Sequence, residues 1–256
     1  MRKPMALSNW KMAMTIAESL TFVREFRALA GDLVHEVDVV ICPPFTALYP
    51  VAQALSGSPI MLGGQNVSAD DDPARTGQIS AALLADAGCQ WVMLGHWEVR
   101  RHFGDTDETV NRKVHRVLAA GLRPILLVGE ARNARESFQS ALDAQLTRAV
   151  DGCDAAQVAT MAFVYEPEWT IGVAEPAPPK RVAAGCGFIR EWIGEHFGPP
   201  VAQAVRIIYG GSVTPMHAEA LLASSEVDGL GATRKGRRAE TFVQIVRRIA
   251  EAKAGR

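Results

Sequence analysis

Three polar residues with complementary chemistry follow short apolar segments at widely separated places in this sequence. Lys11 comes just after MALSNW, His96 ends QWVMLGH, and Glu166 ends TMAFVYE directly before a proline. A carboxylate that acts as a general base needs partners that stabilise the negative charge that develops as it removes a proton. A cation and an imidazole are suitable partners. If the fold brings the three side chains together, they form a site for general acid–base chemistry.

The strand and helix pattern must explain how residues so far apart would meet. Eight short apolar segments have the character of buried strands, and they lie at residues 5–10, 36–44, 59–66, 90–96, 123–130, 160–166, 205–211 and 227–232. Between them lie segments with apolar residues at three- and four-residue intervals, among them residues 15–29, 107–120, 134–150 and 240–253. This alternation predicts a parallel sheet with helical crossovers.

Eight strand–helix units favour a closed barrel over an open, doubly wound sheet. The open alternative would carry a G-x-G-x-x-G fingerprint after its first strand, and this sequence has none there. No linker-like tract interrupts the alternation. The sequence therefore predicts an α/β fold, a (β/α)8 barrel in which residues 1–256 form a single domain.

In such a barrel, the carboxyl ends of all the strands gather at one face, where active sites are built. Asn9 and Lys11 come at the end of the first strand, and His96 and Glu98 follow the fourth. Glu166 ends the sixth strand. Small residues follow the seventh strand, namely Gly210, Gly211 and Ser212. We therefore expect a base, a hydrogen-bond donor, a cation and a small-residue loop to converge.

Composition excludes several classes of protein. Apolar residues make up 48% of the 256 residues, and Lys plus Arg total 27 against 28 Asp plus Glu. This balance gives no reason to expect nucleic acid or a membrane as a partner, and no apolar run is long enough for a membrane helix. The four cysteines are far apart and lack metal-ligand spacing, so we expect buried thiols, no metal and a reducing compartment. The N-terminus does not resemble a signal peptide, and we expect a cytoplasmic protein.

Short motifs distributed along the whole chain carry a family resemblance. They are NWKM at residues 9–12, GGQNVS at 63–68, RTGQIS at 75–80, LGHWEVRRHFGDTDE at 94–108, VGE at 128–130, YEPEWTIG at 165–172 and YGGSV at 209–213. In this order and at nearly the family's spacing, they resemble the triosephosphate isomerases. The resemblance implies a TIM barrel and an isomerase that acts on a small phosphorylated sugar without a cofactor.

The resemblance also implies a role for individual residues. Glu166 matches the family's base and His96 its electrophile, an assignment that comes with the family and not from the residues themselves. Lys11 would neutralise charge on the enediolate oxygen and the phosphate, with Asn9 and Glu98 supporting the site. The residues implied in phosphate binding are Gly172, Gly211, Ser212, Thr233 and Arg234.

Two departures from the family pattern concern the base and the loop that covers it. Trp97 stands where the family has serine, and a bulky indole there would change the resting position of Glu166 or the room for substrate. In the loop after Glu166, Val173 and Ala174 restrict the backbone, and two prolines restrict it further. We therefore expect a stiffer lid.

Two further departures concern the third and eighth loops. Gln78 replaces a glutamate in a loop that usually inserts beside a neighbouring subunit's active site, so a homodimer is implied. After the eighth strand, Thr233 and Arg234 replace two glycines whose N–H groups complete the family's phosphate site. This basic turn is either solvated or adds side-chain contacts to phosphate.

The resemblance implies interconversion of dihydroxyacetone phosphate and glyceraldehyde 3-phosphate, a step of glycolysis and gluconeogenesis. Two alternatives stay open at this point. One is a related isomerase of a four-carbon tetrulose phosphate. The other is a paralogue that binds a metabolite or protein without turning it over, although such a protein would not need Lys11, His96 and Glu166 together.

Overall fold

Among the residues that the structure describes, eight parallel strands pair in chain order, and the first also pairs with the last, so the sheet closes into a barrel. The computed structural model describes residues 2–254. Met1, Gly255 and Arg256, which the predicted domain includes, lie outside the described residues. The strands are β1 Met5–Asn9, β2 Asp38–Cys42, β3 Met61–Gly64, β4 Trp91–Leu94, β5 Arg123–Val128, β6 Ala162–Tyr165, β7 Arg206–Gly210 and β8 Gly229–Ala232. The predicted (β/α)8 TIM barrel is confirmed.

Helices surround the barrel on the outside. They are α1 Ile16–Ala30, α2 Leu33–Glu36, α3 Leu48–Leu55, α4 Ala81–Asp86, α5 Trp97–Phe103, α6 Asp107–Ala119, α7 Phe138–Ala149, α8 Ala155–Ala159, α9 Pro179–Phe197, α10 Pro199–Ala204, α11 Pro215–Leu222 and α12 Ala239–Lys253. Within residues 2–254, none of these helices combines the length and the apolar character needed to cross a membrane.

Helix starts follow local capping signals where the sequence provides them. Thr15 and Glu18 form a reciprocal capping box at the start of α1, so this helix begins close to where its periodicity predicts. Helix α7 begins at Phe138, four residues later than predicted. The reason is local, because Ala134 and Ser137 form three-residue turns, with N–H groups bonded to Ala131 and Ala134, instead of helical bonds.

The barrel interior is a packed core and not a channel. Side chains alternate along each strand, so that Met5 and Leu7 of β1 point into the barrel while Ala6 packs against the helices. Eleven buried residues fill the interior, namely Met5, Leu7, Val40, Cys42, Trp91, Met93, Ile125, Leu127, Ala162, Val164 and Ile208. Since the interior is full, any site must lie above it, at the ends of the strands.

The cysteines largely follow the prediction. Cys42, Cys89 and Cys186 are buried free thiols, but Cys153 is only half-buried, and the prediction of a buried thiol is wrong there. Cys153 lies between α7 and α8, where the chain turns at the surface. Burial raises the pKa of Cys89 to about 12, so this thiol is a weak nucleophile.

Candidate active site

Glu166 is the first residue after β6, and strand pairing fixes its backbone. Its N–H donates to the carbonyl oxygen of Val128 at 2.8 Å, which extends the ladder between β5 and β6 by one bond. Gly210 of β7 faces the side chain, and a Cβ atom added there would lie 3.3 Å from Glu166 Oε1. Glycine at this position therefore leaves the carboxylate room beside the strand.

The carboxylate of Glu166 is buried, and one of its oxygens is unsatisfied. Oε2 has no hydrogen-bond partner among the described residues. Burial raises the pKa of Glu166, while the neighbouring His96 and Lys11 act in the opposite direction. A buried carboxylate without donors is destabilised as an anion, and it is therefore a stronger base than an exposed one.

His96 lies two residues beyond β4 and caps α5. Its Nδ1 accepts a hydrogen bond from the backbone N–H of Glu98 at 3.1 Å, so the ring proton resides on Nε2. Nε2 lies 3.4 Å from Glu166 Oε2. The backbone of α5 thus orients the imidazole as a hydrogen-bond donor beside the carboxylate.

Lys11 has a left-handed backbone conformation, with a φ of 53°. Two contacts stabilise this uncommon geometry, since Asn9 Oδ1 accepts from the Lys11 N–H and Gln65 Nε2 donates to the Lys11 carbonyl oxygen, both at 2.9 Å. The side chain then reaches Glu98, with 2.5 Å between Nζ and Oε1. Gln65 was not predicted as a site residue, although it lies in the GGQNVS motif.

These residues surround one cavity of about 590 Å³ at the carboxyl ends of the strands. Most of the predicted site residues line it, namely Lys11, Glu98, Glu166, Gly172, Gly211, Ser212, Thr233 and Arg234. Asn9 lines a small adjoining recess that also contacts Glu166, and His96 contacts Glu166 directly. The fold thus brings all ten predicted residues to one place.

The loop after β6, residues 167–178, contributes Ile171, Gly172 and Ala174 to the wall of this cavity, and we call it the lid. Ser212 Oγ lies within hydrogen-bond distance of two lid carbonyl oxygens, those of Thr170 at 2.9 Å and Val173 at 2.7 Å. At the other end of the lid, the Ala177 N–H donates to the Tyr209 hydroxyl at 2.8 Å. The lid is therefore tied to β7 and the loop after it.

Arg234 reaches the same lid from the turn after β8. Its Nη2 donates to the carbonyl oxygen of Val173 at 2.8 Å. A guanidinium carries five N–H groups in a fixed plane, so a single bond to the lid leaves donors free in the cavity wall. Arg234 therefore connects the turn after β8 to the lid, and it also lines the cavity.

Two buried glutamates that were not predicted as site residues hold the start of the lid. Glu130 accepts from Trp169 Nε1 at 2.8 Å and from the Tyr165 hydroxyl, and it lies in the VGE motif after β5. Glu168 forms an ion pair with Arg101 of α5 and accepts from the backbone N–H of Arg132 at 2.9 Å. The motifs were the only signal for these two residues, because their partners are far apart along the chain.

Trp97 is not among the described residues that line the cavity. It is half-buried in α5, and the Arg100 guanidinium lies 5.9 Å from its ring centre. The polar group beside Glu166 Oε2 is His96 Nε2, at 3.4 Å. Among residues 2–254, no group of three or more His, Cys, Asp or Glu side chains is arranged to hold a metal ion.

Comparison with known proteins agrees with this arrangement. A family model described as triosephosphate isomerase matches residues 4–249. The triosephosphate isomerase of Carboxydothermus hydrogenoformans is 41% identical over 96% of this chain and 99% of its own length. That of Symbiobacterium thermophilum is 40% identical over 99% of this chain and 100% of its own length. The crystal structure of the Bartonella henselae enzyme superposes with a TM-score of 0.85 at 34% identity, covering 96% of this chain and 99% of that one. The chain belongs to the triosephosphate isomerase family.

Proposed function

We propose that this protein interconverts dihydroxyacetone phosphate and glyceraldehyde 3-phosphate. The observation that carries the proposal is the buried, unsatisfied Oε2 of Glu166, which lies 3.4 Å from His96 Nε2 beside the cavity. A base of this kind suits removal of a proton from a carbon next to a carbonyl group. The relatives' names, at about 40% identity over nearly the whole chain, supply the substrate pair.

In this proposal, Glu166 takes the proton from the substrate carbon and returns it to the neighbouring carbon. The carbonyl oxygen gains negative charge as the proton leaves, and the His96 Nε2–H and the Lys11 ammonium stabilise that charge. A second proton moves between the two substrate oxygens, where His96 lies. One carbon is oxidised and its neighbour is reduced, so the reaction needs no external oxidant or reductant.

Asn9 and Glu98 act through Lys11 in this scheme. Asn9 Oδ1 holds the Lys11 backbone, and the Glu98 carboxylate holds the ammonium at 2.5 Å. The Glu98 backbone also orients His96, so this residue fixes both partners of the base. We assign Asn9 and Glu98 as positioning residues on these contacts.

The phosphate is assigned to the small residues of the lid and of the loop after β7. Gly172 and Gly211 have positive φ values, as does Ser212 with a φ of 48°, and such backbone forms concave groups of N–H donors for anions. Thr233 and the free donors of Arg234 complete the set. A lid that closes over bound phosphate would exclude water from the enediolate.

A homodimer is part of the proposal. Met12, next to the site residue Lys11, is 99% exposed and Tyr49 is 64% exposed, so both apolar side chains are free to contact a partner subunit. The third loop, at residues 66–79, is largely exposed between β3 and α4. We further propose a cytoplasmic protein of glycolysis and gluconeogenesis, with residues 1–256 working as one barrel domain.

The test is an assay of the purified protein with each triose phosphate and with a tetrulose phosphate in deuterated water. We expect interconversion of the two triose phosphates without added cofactor, with deuterium entering at the carbon that gains the proton. If the protein turned over only the tetrulose phosphate, its substrate would be the four-carbon sugar phosphate and not a triose phosphate. Binding without turnover or deuterium incorporation would contradict an enzyme and support the non-catalytic paralogue.

A further inference from the structure

The turn after β8 brings an excess of cations to the cavity. Within residues 233–238, which we call the basic turn, four basic side chains line the same cavity as Glu166, namely Arg234, Lys235, Arg237 and Arg238. The carboxylates in that wall are Glu98 and Glu166, and Glu98 is paired with Lys11. The field in this part of the cavity is therefore positive.

Three of these cationic side chains have no partner among the described residues. Arg234 donates to the lid, but the side chains of Lys235, Arg237 and Arg238 form neither a hydrogen bond nor an ion pair within residues 2–254. Neighbouring like charges that lack a counter-ion destabilise the folded state slightly. Packing gives no account of why these three residues are basic, since Lys235 and Arg238 are exposed and Arg237 is half-buried.

The backbone of the basic turn is fixed against the barrel. Gly236 is buried, and its carbonyl oxygen accepts from Ser8 Oγ of β1 at 2.7 Å. A Cβ atom added to Gly236 would lie 2.6 Å from Ser8 Oγ and 2.7 Å from the Ala232 carbonyl oxygen, so only glycine fits. The residues on both sides of Gly236 are thereby held at the cavity.

The phosphate of a triose phosphate does not account for these cations. The proposed function assigns that phosphate to Gly172, Gly211 and Ser212, with Thr233 and Arg234. The cavity of about 590 Å³ lies within the range that holds ligands far larger than a triose phosphate. Space and positive charge therefore remain beyond the first phosphate.

We propose that Lys235, Arg237 and Arg238 form a second anion subsite, so that the cavity binds small molecules with two anionic groups, above all bisphosphorylated ones. One anionic group occupies the phosphate site of the proposed function, on which this inference rests. The other contacts the basic turn. A bisphosphate of a three-carbon or four-carbon chain would thus compete with the substrate.

The experiment compares two unreactive probes by calorimetry at low ionic strength, propyl phosphate and propane-1,3-diyl bisphosphate. Three cations within several ångströms of a dianion, partly screened by salt, predict about tenfold tighter binding of the bisphosphate. A Lys235→Gln, Arg237→Gln, Arg238→Gln triple variant should lose most of this preference and still bind propyl phosphate. That retained binding, with an unchanged circular dichroism spectrum, shows that the variant is folded.

A matched control removes the same charge elsewhere. Arg24, Arg148 and Arg247 are exposed and lie outside the described cavity wall, so their triple change to Gln should keep the preference for bisphosphate. Equal affinity of wild type for both probes, or the same loss in the control, would overturn the subsite. Both probes bind without turnover, so an inactive protein that prefers bisphosphate would contradict the proposed function alone. An active protein without the preference would contradict the subsite alone.

Discussion

Glu166 Oε2 lies 3.4 Å from His96 Nε2, and it has no hydrogen-bond partner among the described residues. The imidazole proton is on that nitrogen because Nδ1 accepts from the Glu98 N–H. A substrate between the two side chains would meet a base on one side and a donor on the other.

The first prediction concerns the base. Glu166→Gln keeps the size of the side chain but removes its ability to accept a proton from carbon. We expect kcat to fall by about 10³-fold or more, with an unreactive phosphate still bound. Steady-state kinetics and solvent deuterium incorporation measure the effect. Glu191→Gln, on the exposed surface of α9, should leave both unchanged, and near-normal exchange in Glu166→Gln would show that another residue is the base.

The second prediction concerns pH. Burial raises the pKa of Glu166 above its ordinary value of 4.5, and only the carboxylate form is a base. The acidic limb of kcat/KM should therefore have a midpoint above pH 4.5. A midpoint at or below that pH would contradict the statement that burial raises the pKa of Glu166.

The same shift predicts how stability depends on pH. The folded protein favours the protonated form, so this contribution to stability is fully present below pH 4.5 and is lost as pH rises through the raised pKa. Glu166→Gln has no carboxylate to desolvate. It should be more stable than wild type towards urea at neutral pH, and the difference should disappear below pH 4.5. A variant that is less stable at neutral pH would show that the buried carboxylate stabilises the fold.

The next prediction concerns the donor. His96→Gln retains one N–H group but loses the ring that Glu98 orients through Nδ1. We expect kcat to fall by about 10²-fold, with a much smaller change in KM, because the donor acts mainly on charge formed in the transition state. His102→Gln, at an exposed position of the helix α5 that His96 caps, is the control. Equal changes in kcat for the two variants would contradict the role of His96 as the hydrogen-bond donor.

A further prediction concerns the contact between Arg234 and the lid. Arg234→Ala removes the bond to the Val173 carbonyl oxygen, so the observed conformation of the lid should become less populated. We expect KM to rise about 5- to 10-fold and the Ala177 amide, bonded to Tyr209, to exchange faster with solvent. Arg234→Lys retains a donor at this position, so its KM and its Ala177 exchange rate should lie closer to those of the wild type. Lys235 makes no bond to the lid, so Lys235→Ala should leave the exchange of the Ala177 amide unchanged.

The last prediction concerns the homodimer. Met12 is 99% exposed next to Lys11, and a glutamate there would place a charge in the proposed interface. We expect Met12→Glu to weaken dimerisation about 30-fold or more, as measured by analytical ultracentrifugation. Met216→Glu, at an 85% exposed position of α11, is the matched control. A wild-type protein that is monomeric at micromolar concentration would contradict the proposal directly.

The sequence alone determined the barrel and the identity of the residues above it. Periodicity and apolar run length are local properties, so eight strands could be placed to within a few residues, and the ends of parallel strands then had to share one face. Lys11, His96 and Glu166 were predicted to meet on this basis. Helix α7 was placed too early, because turns at residues 131–137 compete with helix without changing the apolar pattern.

Tertiary structure decided the contacts between side chains that are far apart along the chain. Arg234 bonds to the lid at Val173, and Glu168 pairs with Arg101, because the position of a long side chain depends on which loops pack beside it. Trp97 shows the same limit. The sequence places an indole next to His96. In the structure, however, Glu98 lines the cavity, and Trp97 is not among the described residues that do so. Neighbouring helical residues point about 100° apart, so only the orientation of α5 in the fold decides which of them reaches the site.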